Sequence, residues 1–126
     1  TQFVATFIGS PAMNLLPARA DAGGRGLVLA GGARLSAATP VATGDVVVGV
    51  RPEHMEIQDK VGAIEFLVDL VEALGADTVV HGRIGADGFT FRLPGGTPVK
   101  AGQRVALNVS PENVHVFSRD TGRRLN

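Results

Sequence analysis

The sequence contains no cysteine, tryptophan or tyrosine, and it has no excess of either charge. Each absence narrows the field. Without cysteine there is neither a disulfide framework nor a thiolate metal site, a usage that suits a reducing compartment. Twelve basic residues balance twelve acidic ones, so no broad field draws in nucleic acid or anionic lipid. The aromatic platforms on which single-stranded bases stack are scarce. The only aromatics are Phe3, Phe7, Phe66, Phe89, Phe91 and Phe117, which fall in strand-like patterns that suit a core. No stretch approaches the roughly 18 apolar residues that span a bilayer. Residues 1–10 carry no basic region ahead of their apolar positions, so membrane association is expected to run through a protein partner.

What is present is glycine and proline, 17 and 7 of them in 126 residues and scattered throughout, which favours many short strands joined by tight turns. That length fits one domain, or two very small units sharing a core. Strands are expected over residues 3–8, 27–29, around Leu35, and over 46–50, 78–84, 89–93, 104–109 and 114–117. Ser10 and Pro11 can open one helical turn, after which the chain resumes at Leu15 and Leu16. Gly23, Gly24, Gly31 and Gly32 read as turns, because the helix that a phosphate cradle needs does not follow them. Residues 64–74 fit two periods. Ile64, Leu67, Val68, Val71 and Leu74 have near-helical spacing, whereas Phe66, Val68 and Leu70 alternate like a strand. Arg119, Arg123 and Arg124 are the one local basic excess and read as a frayed tail.

An internal repeat organises the chain. Val48 to Ile57 align without gaps on Leu107 to Val116, a separation of 59 residues in which Val50, Pro52 and Glu53 recur as Val109, Pro111 and Glu112. Each copy runs an apolar strand into Pro-Glu and leaves as a second alternating segment. Two similar β units, centred on residues 46–57 and 105–116, account for this.

Candidate chemistry is thin. A phosphate loop requires Lys followed by Ser or Thr, but Lys60 and Lys100 are followed by Val61 and Ala101. His54, His81 and His115 are far apart in the chain and make a poor metal set. Glu53 with Glu56, and Asp69 with Glu72, read as solvated surface carboxylates and not as acid/base pairs. The chain is therefore expected to bind no cofactor, hydrolyse no nucleotide and hold small solutes weakly at best. Arg51 and Glu53 flank Pro52 at a strand end, where an Arg fork can meet a carboxylate or oxyanion; equally, the pair can simply hold the turn. Gly9, Ser10, Pro11, Met13 and Asn14 make either a contact loop between subunits, with Met13 as an adaptable plug, or a turn covering the core.

The segments Phe3 to Leu16, with Gly9-Ser10-Pro11-Ala12-Met13-Asn14 inside it, Gly49-Val50-Arg51-Pro52-Glu53-His54, Leu74-Gly75 and Ser110-Pro111-Glu112-Asn113-Val114-His115-Val116-Phe117 resemble, in that order, the C-terminal regulatory (TOBE or MOP-like) region of the ATP-binding subunits of carbohydrate-type ABC importers. The resemblance covers nearly the whole chain. It implies a mainly β fold of two small intertwined OB-like barrels with at most short helical turns, and it makes residues 64–74 a strand. It further implies a nucleotide-binding half, with ATP and Mg, preceding this region. The expected role is regulation and dimerisation, with Gly9, Ser10, Pro11, Met13, Asn14, Arg51, Pro52 and Glu53 as candidate contact residues. Expected partners are a second copy, permease subunits, and a regulatory protein or small solute, at the inner face of the cell membrane; nucleic acid is not among them. An oxyanion or small-solute module, or a purely structural dimerisation unit, is the alternative.

Overall fold

A computed structural model describes residues 13–21, 25–58 and 63–126. The strand expected over 3–8, the positions Gly9, Ser10 and Pro11, and the turn at Gly23 and Gly24 lie outside the described residues.

Among the described residues there are ten strands: β1 (Asn14–Ala20), β2 (Gly26–Leu29), β3 (Arg34–Ser36), β4 (Gly44–Val50), β5 (Glu56–Ile57), β6 (Ile64–Ala73), β7 (Asp77–Ile84), β8 (Asp87–Pro94), β9 (Arg104–Asn108) and β10 (His115–Ser118). Two 3-10 turns interrupt them, Pro52–His54 and Pro111–Asn113. The strands make two five-stranded sheets, ordered β10-β4-β1-β2-β3 and β5-β9-β6-β7-β8, and every pairing is antiparallel. The class is mainly β with short helical turns, and the inward faces of both sheets join in one apolar core.

Local sequence explains most of this. Val46, Val47, Val48 and Val50 are all buried, as a continuous apolar run in a central strand requires. In β6 the alternating reading prevails, because Ile64, Phe66 and Val68 are buried while the helical-period residue Leu74 is 61% exposed. A bulge between Val68 and Leu70 then shifts the register against β7. Phe66 meets Phe89 and Phe91 edge to face, at centroid separations of 6.3 and 5.0 Å.

Two expectations are corrected. Asn14, expected within a contact loop or turn, opens β1. Pro17 is tolerated inside that strand because β2 pairs only from Ala18 onward, leaving β4 alone alongside at that level. The basic tail, expected to fray, lies along β10. Ser118 donates to the Arg123 carbonyl at 2.7 Å and Leu125 to the Val116 carbonyl at 2.7 Å. The Asn126 side chain accepts from the Val116 N–H at 2.8 Å and donates to the Val114 carbonyl at 2.9 Å. A side-chain amide carries the same donor and acceptor as a peptide unit, so Asn126 covers a strand edge that would otherwise be bare.

The repeat appears as two strand, 3-10 turn, strand units with closely matched backbones. Arg51 enters the first turn at φ −76°, ψ 145°, and Ser110 enters the second at φ −67°, ψ 141°. The units exchange strands. His115 pairs with Gly49 and Val116 with Val48, while Glu56 pairs with Asn108 and Ile57 with Leu107. Shifting each residue by the repeat separation turns one set of pairs into the other, so the first strand of each unit pairs with the second strand of its sibling.

Candidate functional site

Of the residues singled out by sequence, those described, Met13, Asn14, Arg51, Pro52 and Glu53, lie together where the two sheets meet. Asn14 is opposite Val50, which brings Met13 and Asn14 beside the Arg51-Pro52-Glu53 turn. In that turn Pro52 is buried and Glu53 exposed. Asn14 bridges the sheets: its amide nitrogen donates to the carbonyls of Val50 at 3.1 Å and Thr90 at 2.7 Å, and its oxygen accepts from the Thr90 N–H at 2.8 Å. Among the described strands β8 is last in its sheet, and this amide takes up part of its outer edge as Asn126 does for β10. Met13 covers Gly49, where an added Cβ would collide with the Met13 sulfur and come within 2.9 Å of the Phe117 ring.

Thr90 also ends a chain of side chains across the second sheet. The His81 ring contacts the Thr90 hydroxyl at 3.1 Å through Nδ1 and the Glu72 carboxylate at 2.5 Å through Nε2. Asp69 engages Arg83 at 3.1 Å through both oxygens, and this bond holds the guanidinium above its ordinary value. Asp69 and Glu72 thus each have a cationic or imidazole partner and do not form a carboxylate pair with each other. The acid, imidazole and hydroxyl lie on an open sheet, whereas a groove of about 350 Å³ lies elsewhere, among Pro17, Arg19, Val28, Asp45 and Arg119. Among the described residues no group of three or more potential metal ligands occurs.

In the sequence His54 and His115 lie at adjacent, not identical, repeat positions and make a poor metal pair. The structure brings both to one place, each with a buried Nδ1 that has no hydrogen-bond partner. Burial pushes the His115 imidazole below its ordinary value, and the charges of Arg124, Arg51 and His54 push it the same way. The folded chain thus resists a proton that the unfolded chain accepts. Stability from this group is complete above about pH 6.5 and is lost as pH falls from there through the lower folded value. Urea unfolding at about pH 7.5 and about pH 5.5 should give a lower midpoint in acid, and His115→Asn should flatten the difference. An equal pH slope in the variant would remove His115 as its source.

Comparison with known proteins agrees with this architecture. Residues 9–55 match the MalK OB fold domain, and residues 48–117 match the TOBE domain. The two matches overlap at the strand and turn of the first repeat unit. The chain is 43% identical over 127 residues to the sn-glycerol-3-phosphate import ATP-binding protein UgpC of Ruegeria sp. (strain TM1040). It is 45% identical over 128 residues to the protein of that name from Cereibacter sphaeroides, and 39% over 131 residues to that of Burkholderia pseudomallei strain K96243. These alignments take in 98–99% of this chain but only 35–36% of each relative, so the chain spans about a third of their length. Among solved structures, the cytoplasmic molybdate-binding protein ModG superposes with a TM-score of 0.69 at 16% identity, over 83% of this chain and 95% of that one; at that identity the likeness concerns the fold alone. The chain belongs to the TOBE domain family and corresponds to the TOBE and OB-fold region of MalK/UgpC-type transporter ATP-binding subunits, a region apart from their nucleotide site.

Proposed function

We propose that the chain is the regulatory and dimerisation portion of an importer ATP-binding subunit for sugars, glycerol 3-phosphate or related solutes. The observation that carries this reading is its alignment, nearly end to end, with about a third of the UgpC proteins. On this reading residues 1–126 are a C-terminal regulatory region, and its two repeat units, centred on 46–57 and 105–116, are the kernels of two intertwined OB-like barrels. ATP and Mg belong to a separate nucleotide-binding region. The working location is the cytoplasmic face of the membrane, beneath permease subunits; no helix among the described residues is long and apolar enough to cross a bilayer. The partners are a second copy of the chain, the permease, and a regulatory protein or solute.

The contact between copies is assigned to Gly9, Ser10, Pro11, Met13, Asn14 and the Arg51-Pro52-Glu53 turn, since a two-fold interface uses one patch on both chains. Met13 and Asn14 adjoin that turn, which supports treating them as one surface. Light scattering coupled to size exclusion at micromolar chain should give about 26 kDa, twice 13.0 kDa. Glu53→Arg, at an exposed carboxylate, should weaken the dimer without touching the core. A 13.0 kDa species at every concentration would end the dimer reading, and an unchanged dimer in the Glu53 variant would move the interface elsewhere.

A further inference from the structure

The last residues of the chain are held on β10 by a few edge hydrogen bonds. Val116 and Ser118 turn their N–H groups away from β4, toward residues 123–126. There Ser118 meets the Arg123 carbonyl and Val116 the Asn126 side chain. Leu125 returns one bond to the Val116 carbonyl but stays 42% exposed, so the segment satisfies the edge without burying much apolar surface. A terminal segment anchored in this way opens at lower cost than the sheets themselves.

His115 stands beside that segment. Phe117 is bridged to Arg124, and His115, two residues before Phe117, shares its face of the strand, which brings the imidazole within the field of the Arg124 guanidinium. Its other charged neighbours are Arg51, just beyond β4, and His54, from the first 3-10 turn. The ring is half-buried, and among the described residues its buried Nδ1 has no hydrogen-bond partner. A neutral imidazole with its proton on Nε2 leaves that nitrogen as a bare acceptor. A charged one places an N–H there with nothing to receive it, near a guanidinium. Burial first, and then Arg124, Arg51 and His54, hold the ring below its ordinary value.

We propose that the C-terminal segment, residues 119–126, is an acid-released cover on the edge of β10, with protonation of His115 as its trigger. Undocking the segment takes Arg124 away and opens the ring to water, so the open form accepts a proton that the closed form resists. The closed form is therefore favoured above about pH 6.5, and the open form gains as pH falls from there. Acid uncovers the N–H groups of Val116 and Ser118 and the carbonyls of Val114 and Val116, an edge able to accept another strand. The device needs neither a second copy of the chain nor a permease.

Amide hydrogen exchange of the full chain, followed by NMR and corrected for the intrinsic pH dependence of exchange, reads the opening residue by residue. Val116, Ser118 and Leu125 should be less protected than Val48 and Val80, which lie in strands flanked on both sides, at about pH 7.5 and about pH 5.5 alike. Their protection should fall roughly three- to tenfold between the two, the span one histidine can supply. His115→Asn should remove most of that fall. Asn126→Ala should loosen the same amides at neutral pH. By linkage, both Asn126→Ala and Arg124→Gln should raise the His115 ring midpoint toward its ordinary value, a shift that a tail without influence on the ring would not produce. Edge amides as well protected as Val80, edge protection that ignores pH while that of Val80 falls, or a His115 midpoint untouched by both tail variants would each overturn the cover.

Discussion

Replacing Asn14 with leucine should lower stability by about 3 kcal/mol, because three hydrogen bonds disappear and the Thr90 N–H and two carbonyls lose a partner at the junction of the sheets. For a chain of this size that corresponds to a fall in Tm of about 10 °C. Leucine fills similar volume, so the loss is chiefly polar. Asn14→Asp should be at least as damaging: the new oxygen faces the Val50 and Thr90 carbonyls that the amide nitrogen now serves. Thermal unfolding of both variants tests the bridge. A loss below about 1 kcal/mol in each would show that the sheets are held together by apolar contact alone.

Gly82→Ala should cost about 3 kcal/mol, at the upper end of what overpacking usually brings. A Cβ at this buried position in β7 would run into the Leu67 carbonyl oxygen and lie 2.5 and 2.7 Å from two carbons of the Phe66 ring. The ring can yield only by disturbing its edge-to-face contacts with Phe89 and Phe91, and a backbone oxygen in a paired strand yields little. Gly88→Ala is the matched control, since a Cβ there meets nothing within 4 Å and should alter stability by no more than about 0.5 kcal/mol. Denaturant midpoints that fall together, or a neutral Gly82 variant, would contradict the packing described for this part of the core.

Much of the strand pattern was legible because burial follows alternation closely. Val48, Val80, Phe91, Leu107 and Val116 are the most enclosed residues of their strands, and all lie within segments expected from sequence. The repeat was legible too, since Pro-Glu after an apolar strand fixes a 3-10 turn in both copies. Pairing was not. An alignment of two copies states that they are alike and is silent on whether each closes on itself or on the other. That gap hid the cluster: His54 and His115 sit at different repeat positions and meet only because β10 crosses to β4. The strand β1 was obscured by Pro17, which ordinarily argues against a strand interior. The tail was misread because Asn126 does its work through a side-chain amide, which no hydrophobic period marks.

Strand exchange between the repeat units also governs when the molecule can become itself during synthesis. β4 is made early, yet its partner on one side is β10, some 70 residues later in the chain. The first sheet therefore waits, with one flank of its valine-rich central strand bare, until nearly all of the second has emerged. Closures over such distances are slow and leave a sticky edge available to neighbours in the meantime. Neither unit has a native resting state of its own to pause in, so maturation comes late, and a ribosome that stalls before His115 leaves the first sheet without the strand that flanks β4.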